Sequence, residues 1–196
     1  MGTGSILGAF VGAALVVAFV VWSLASVRAR TRSWKQLAND LGAEFVPGGL
    51  LRGSKVVAQA GHATVTLDTY SVPSGDSSTT YTRIRAPLQN RDGFQFRVFR
   101  EGLVGKIDKA LGMQDLEIGI PEFDDVFVVQ ANNETKVRAL LSNAKIRQRI
   151  QGEPSVHIGI TKNNELHFEE KGVLSNLAKL KSLFELFFEV LNQLES

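Results

Sequence analysis

The chain has 196 residues, which is enough for one domain with a hydrophobic core, and its formal net charge is only +2. So small a basic excess argues against nucleic acid as a partner. Cysteine is absent, which excludes disulfides, thiolate metal sites, iron–sulfur clusters and cysteine nucleophiles.

The N-terminal segment is uncharged and largely apolar. Met1 to Val27 contain no Asp, Glu, Lys or Arg, and residues 6–27 are mostly apolar. About 20 such residues allow a helix to cross a hydrocarbon core of roughly 30 Å. A cleaved signal peptide would have a basic start and a shorter apolar stretch. The pattern therefore predicts a transmembrane anchor over residues 1–29, followed by one domain over residues 30–196.

Basic residues follow this segment closely and predict its orientation. The positive-inside rule places such a flank in the cytoplasm, so we expect a single-pass protein of the bacterial inner membrane. Its N-terminus would then lie outside and its domain in the cytoplasm. The predicted membrane-interface residues are four basic side chains and two tryptophans: Trp22, Arg28, Arg30, Arg32, Trp34 and Lys35. Either tryptophan could instead pack against protein.

Small residues recur within the apolar segment. Gly4, Gly8 and Gly12 are spaced four apart and would share one face of a helix. Such a face allows two membrane helices to approach closely, although glycine is also common in membrane helices without this role. If the face is used, the partner is an integral membrane protein complex or a second copy of the chain.

The first half of the soluble part predicts one helix and then strands. The helix is expected at residues 33–41, with Gly42 ending it. Strands are expected at residues 55–60, 62–70, from Tyr81 onward, and 94–99. Gly61 would turn the first hairpin, and the polar residues 72–79 predict a loop.

The second half predicts helices interleaved with short strands. Helices are expected at residues 103–111, 133–151 and 173–194, and strands at 116–120, 126–130, 155–161 and 165–170. Asn163 and Asn164 would form a two-residue hairpin turn. The irregular order and the hairpins predict an α+β class, with a mainly antiparallel sheet packed with helices.

Scattered motifs carry a resemblance to known proteins. They are Trp34 with Leu37-Ala38 and Leu41-Gly42, then Tyr81-Thr82-Arg83-Ile84, Phe123-Asp124 with Phe127, and Leu140-Leu141. In these residues the chain resembles a group of bacterial single-pass membrane proteins with a cytoplasmic α+β domain. The resemblance implies that architecture and no particular activity.

No catalytic, cofactor or metal motif is recognisable. With Asn163-Asn164 as the turn, Ile160 would face His167, so His157 and His167 would point to opposite faces of the sheet. They could not then share a metal, and we predict no metal and no cofactor. Arg83 and Arg85 share a strand face, which could bind anionic lipid headgroups or an acidic partner, or could be ordinary surface arginine.

The last predicted helix has more apolar surface than one sheet face needs. Its residues Val173, Leu177, Leu180, Phe184, Phe187, Leu191 and Leu194 form an unbroken heptad seam. Leu183, Phe188 and Val190 lie beside the seam, and we expect them to stay free for a partner. A core helix that covers the sheet is the alternative.

These features predict a non-enzymatic, membrane-anchored accessory or assembly subunit that packs against a larger integral membrane complex. The alternative is a lipid- or ligand-binding domain at the inner membrane surface, and an enzyme of unrecognised type comes third. A deep polar pocket with converging carboxylates or histidines would favour the enzyme. A flat surface with exposed apolar strips would favour the subunit.

Overall fold

The computed structural model describes residues 28–49, 53–100, 113–153 and 155–195. The strands are β1 (Glu44–Val46), β2 (Lys55–Ala60), β3 (Ala63–Ser74), β4 (Ser77–Pro87), β5 (Phe96–Arg100), β6 (Gln114–Leu116), β7 (Phe127–Ala131), β8 (His157–Ile160) and β9 (Glu165–Lys171). The helices are α1 (described over residues 28–41), α2 (Pro121–Asp124), α3 (Glu134–Ser142), α4 (Ala144–Gln151) and α5 (Leu177–Glu195). The helix predicted at residues 103–111 lies outside the described residues.

The nine strands of the described residues join one sheet in the order β1-β2-β3-β4-β9-β8-β5-β7-β6, and every pair is antiparallel. The predicted α+β class and antiparallel sheet are therefore confirmed. The hairpin predicted around Gly61 is also present, with Ala60 opposite Ala63. Gly61 has φ +58°, in the left-handed region that favours glycine in a tight turn.

The polar loop predicted at residues 72–79 is instead part of a long hairpin. Pairing of β3 with β4 continues from Thr66 opposite Arg85 out to Ser74 opposite Ser77. Only Gly75 and Asp76 remain for the turn, and Gly75 has φ +57°. Hydroxyl residues suit exposed strand positions because they pair across strands, as Ser71 and Thr80 do at 3.0 Å.

One face of the sheet carries the hydrophobic core. Alternate strand residues such as Leu67, Ile84 and Phe168 are fully buried there, as the two-residue period of a strand requires. Every described helix contributes to the same cluster, including Phe123 of α2 and Ile146 of α4. The helices therefore form a layer on this face.

The prediction of a membrane-crossing helix is corrected. Among the described residues, no helix is long and apolar enough to cross a membrane. The described part of α1 is amphipathic, because Trp34, Leu37 and Ala38 are buried while Arg32 and Lys35 are exposed. Residues 6–27, on which the prediction rests, lie outside the described residues.

Helix α5 is buried on more than one side. The seam residues Leu180, Phe184 and Phe187 are fully buried, but Leu183 and Val190 beside the seam are also only 0% and 1% exposed. The expectation that these two residues stay free for a partner is therefore wrong. The reason is that α3 and α4 pack against α5, so a layer of helices covers apolar surface that one sheet face cannot reach.

Candidate functional site

The face of the sheet opposite the core has no helix packed on it among the described residues, because each described helix is buried in the core cluster. We call this surface the open face. Its central residues are long polar, charged or aromatic side chains: Asp68, Tyr70, Tyr81, Arg83, Arg85, His157, Glu165, His167 and Glu169. All nine are half-buried rather than fully exposed, which means that they pack on one another.

Two arginines on the open face are neutralised by carboxylates. Arg83 of β4 donates to both oxygens of Asp68 on β3, from Nε at 2.9 Å and from Nη2 at 3.0 Å. The hydrogen bond with Asp68 raises the pKa of Arg83. Arg85 also contacts Asp68, at 3.2 Å, and reaches Glu165 at 3.5 Å. These arginines therefore form a fixed network rather than a basic patch.

Aromatic rings extend this network. Tyr70 and Tyr81 are directly opposite on β3 and β4 and stack with ring centroids 5.5 Å apart. The guanidinium carbon of Arg83 lies 4.9 Å from the centroid of the Tyr70 ring. A cation over an aromatic face is stabilised by the ring quadrupole. Arg83 is thus held by a carboxylate on one side and a ring on the other.

A hydrogen bond connects Tyr70 to a second group of residues. The Tyr70 hydroxyl donates to Glu169 Oε2 at 2.5 Å, and His157 Nδ1 lies 3.6 Å from Glu169 Oε1. The nearby His157 and the hydrogen bond from Tyr70 lower the pKa of Glu169 to about 2, although burial opposes the shift. Burial, and the bond to Glu169, raise the pKa of Tyr70, so the phenol remains a hydrogen-bond donor.

The two strand histidines are neighbours, contrary to the sequence prediction. His167 is opposite Gly159 and Leu166 is opposite Ile160, so the register differs by one residue from the predicted one. A one-residue shift moves every side chain to the other face. The rings of His157 and His167 therefore lie on the same face, with centroids 5.5 Å apart. Burial, and the nearby His157, lower the pKa of His167.

Gly159 allows this arrangement by letting β5 and β8 approach closely. It lies between Arg97 and His167 in the sheet. A Cβ atom at this position would collide with the carbonyl oxygen of Phe96 and would lie 3.0 Å from the Cα atom of Arg97. Phe99 of β5 is opposite His157 in the sheet. It is only 7% exposed, although it is on the open face, and the His157 ring packs on it edge-to-face.

The other predicted site residues lie elsewhere. Gly4, Gly8, Gly12 and Trp22 are outside the described residues. Arg28, Arg30, Arg32 and Lys35 lie on α1, where Arg30 is half-buried and the other three are exposed. Trp34 packs against protein, because it is 1% exposed and its Nε1 donates to the Leu174 carbonyl at 2.9 Å. Phe188 is partly buried, edge-to-face against Phe184.

A cleft of about 890 Å³ lies at one edge of the core. The β4–β5 connection, α3 and the end of α5 line it, with Leu88, Phe94, Ala139 and Leu194 as apolar contributors. Lys136 pairs with Asp92 at its rim, and its Nζ lies 5.8 Å from the Phe94 ring centroid. The cleft is thus a mixed apolar and polar concavity, separate from the open face.

Sequence reasoning missed Asp68, Tyr70 and Glu169. One signal was available, since Asp68 continues the alternation of Val65 and Leu67 with polar residues along β3, and Arg83 and Arg85 alternate with Ile84 and Ala86 along β4. Polar residues that alternate on neighbouring strands share one face.

The sequence matches no family model and no curated protein. Among solved structures, the chain is similar to the mycobacterial trehalose monomycolate transport factor A, TtfA, with a TM-score of 0.53. The two are 15% identical, and the similarity covers 85% of this chain and 96% of that one. At this identity the similarity shows the fold alone.

Proposed function

We propose that this chain is a non-enzymatic accessory protein that uses the open face to bind a larger membrane protein complex. The main observation that supports this proposal is the preorganised network of Tyr70, Tyr81 and Arg83, which lies on a sheet face that no described helix covers. Tyrosine and arginine are the residues that most often dominate binding energy at protein interfaces. Because their partners already hold these side chains, association would cost little side-chain entropy.

The structural neighbour supports an accessory role. Its name describes a transport factor for trehalose monomycolate, and the shared fold covers most of both chains. We extend to this chain only the accessory class and not the cargo, because a fold can host many functions.

The proposed location is the cytoplasmic side of the bacterial inner membrane. The uncharged start of the chain and the basic residues Arg28, Arg30, Arg32 and Lys35 after it support this location. Membrane fractionation of cells that make the chain is one test. A reporter fused to the carboxyl end should be active only if it is a cytoplasm-requiring type, and activity of a periplasm-requiring reporter would contradict the proposed location.

The binding role is tested by co-purification of the full chain after mild detergent extraction. The double variant Tyr70→Ala/Tyr81→Ala removes both rings from the open face, and we expect retention of membrane proteins to fall about tenfold or more. The matched control, Arg138→Ala/Lys145→Ala, changes two exposed side chains on the helix side and should behave like wild type. If the tyrosine variant melts like wild type and still retains its partners, the open face is not the binding surface.

A second candidate, a lipid- or ligand-binding domain, is favoured by the cleft beside Phe94 and Ala139. Its volume is within the range of small-molecule sites. Native mass spectrometry of the gently extracted chain should then show a bound small molecule, which Ala139→Trp should displace by filling the cleft. Retention of the molecule by that variant, or its absence from wild type, would reject this candidate.

A further inference from the structure

Three side chains on β8 and β9 converge although the sequence predicted that they diverge. His157, His167 and Glu169 each offer one potential ligand atom, and these atoms all lie within 4.8 Å of one another. We propose that they form a binding site for a divalent transition-metal ion of the zinc type. This inference goes beyond the proposed function, since neither the accessory role nor the binding face requires a metal.

The donor set selects the class of ion. Two imidazole nitrogens and one carboxylate oxygen suit zinc and similar transition metals, whereas calcium and magnesium prefer oxygen ligands throughout. Zinc–ligand bonds are about 2.0–2.2 Å long, which places ligand atoms of a tetrahedral site roughly 3.3 Å apart. Side-chain movements on the order of 1 Å would close the present cluster around an ion.

Unpaired ring nitrogens provide a second argument. In the described part of the chain, His157 Nε2 and His167 Nδ1 are buried and have no hydrogen-bond partner. A buried polar atom without a partner costs free energy. A metal ion accepts a lone pair from one nitrogen of each imidazole, so metal binding would supply a partner to rings that lack one.

The scaffold is also suited to holding the ligands in place. All three residues are on paired strands, with His167 and Glu169 two positions apart on one strand, so the sheet fixes their spacing. Tyr70 donates to Glu169 Oε2 and orients the carboxylate, as outer hydrogen bonds do at metal sites. The His157 and Glu169 side chains are 25% and 30% exposed, so an ion can reach them. Three protein ligands leave a fourth position for water.

The first test is calorimetric titration of the purified, EDTA-stripped full chain with Zn²⁺. We expect one ion per chain for wild type, and affinity about tenfold or more weaker in His157→Gln, His167→Gln and Glu169→Gln. The matched control is His62→Gln, because His62 is an exposed residue in the β2–β3 turn and should leave the affinity unchanged. Absence of binding to wild type, or equal affinity in all four variants, would overturn the site.

A second test needs no substitution and so does not depend on the folding of variants. Diethyl pyrocarbonate modifies accessible neutral imidazoles, and mass spectrometry locates the modification. Added Zn²⁺ should protect His157, whose side chain is 25% exposed, and leave His62 reactive, whereas Mg²⁺ should protect neither. Equal reactivity of His157 with and without Zn²⁺ would refute the proposal.

Discussion

Replacing Tyr70 by Phe should isolate the hydrogen bond that links the two halves of the open face. The substitution removes only the hydroxyl that donates to Glu169 Oε2 at 2.5 Å. The ring remains, and with it the stacking on Tyr81 and the contact with Arg83. The matched control is Tyr81→Phe, because within the described residues the Tyr81 hydroxyl makes no hydrogen bond to a neighbouring side chain.

The expected magnitude follows from the charge of the acceptor. A hydrogen bond to an ionised group is worth about 1.5–3 kcal/mol, and partial solvent exposure reduces this value, so we expect a loss of about 1–2 kcal/mol in the free energy of unfolding at pH 7. One pKa unit corresponds to about 1.4 kcal/mol. The pKa of Glu169, about 2 in the folded chain, should therefore rise by roughly one unit in Tyr70→Phe. The nearby His157 would still hold the pKa of Glu169 below its usual range.

The sign of the pH dependence follows from the lowered pKa. A carboxyl whose folded pKa lies below the unfolded value stabilises the fold above the unfolded pKa, and this stabilisation is lost as the pH falls through the folded pKa. For Glu169 the window runs from 4.5 down to about 2. In Tyr70→Phe the loss should begin at a higher pH than in wild type.

The assay is a carbon-detected NMR titration of the Glu169 carboxyl in EDTA, together with urea unfolding at pH 7. Tyr81→Phe should leave both the pKa of Glu169 and the free energy of unfolding close to wild type. The reasoning is refuted if Tyr70→Phe leaves the pKa of Glu169 unchanged, or if the two phenylalanine variants shift it equally.

Four further substitutions test the core and the sheet, each measured by urea unfolding of the full chain. Phe184→Ala, at a fully buried position, should cost about 3–5 kcal/mol. Phe188→Ala, at a partly buried position, should cost clearly less; equal losses would show that Phe188 belongs to the core as fully as Phe184 does. Gly159→Ala should cost roughly 1–3 kcal/mol, because its Cβ would force β5 away from β8, and an unchanged midpoint would contradict this close approach. Thr82→Val should cost about 2 kcal/mol. The buried Thr82 hydroxyl donates to the Gly172 carbonyl at 2.8 Å and accepts from the Leu174 N–H at 2.9 Å, just before α5. An unchanged free energy of unfolding would mean that water replaces the hydroxyl in these bonds.

Local sequence patterns were sufficient to predict the α+β class of the fold. Alternation of apolar residues along β3, with Gly61 as the turn, specified the β2–β3 hairpin, since both signals lie within a few residues of each other. The heptad spacing of Leu180, Phe184 and Phe187 likewise placed the core side of α5 correctly. The spacing of apolar residues and the residue types of a turn involve only near neighbours in the chain, so a single sequence is enough to reveal them.

The site depended on contacts between distant parts of the chain. Whether His157 and His167 share a face is decided by one residue of strand register. The predicted turn had two residues, whereas Thr161 bonds to Glu165 across a three-residue turn in which Asn164 has φ +55°. The burial of Leu183 and Val190 depends on α3 and α4 packing over α5, which helical periodicity does not encode. The sequence by itself determined the α+β class and most of the strands and helices. Tertiary packing decided which side chains meet, because register and helix packing are set by long-range contacts.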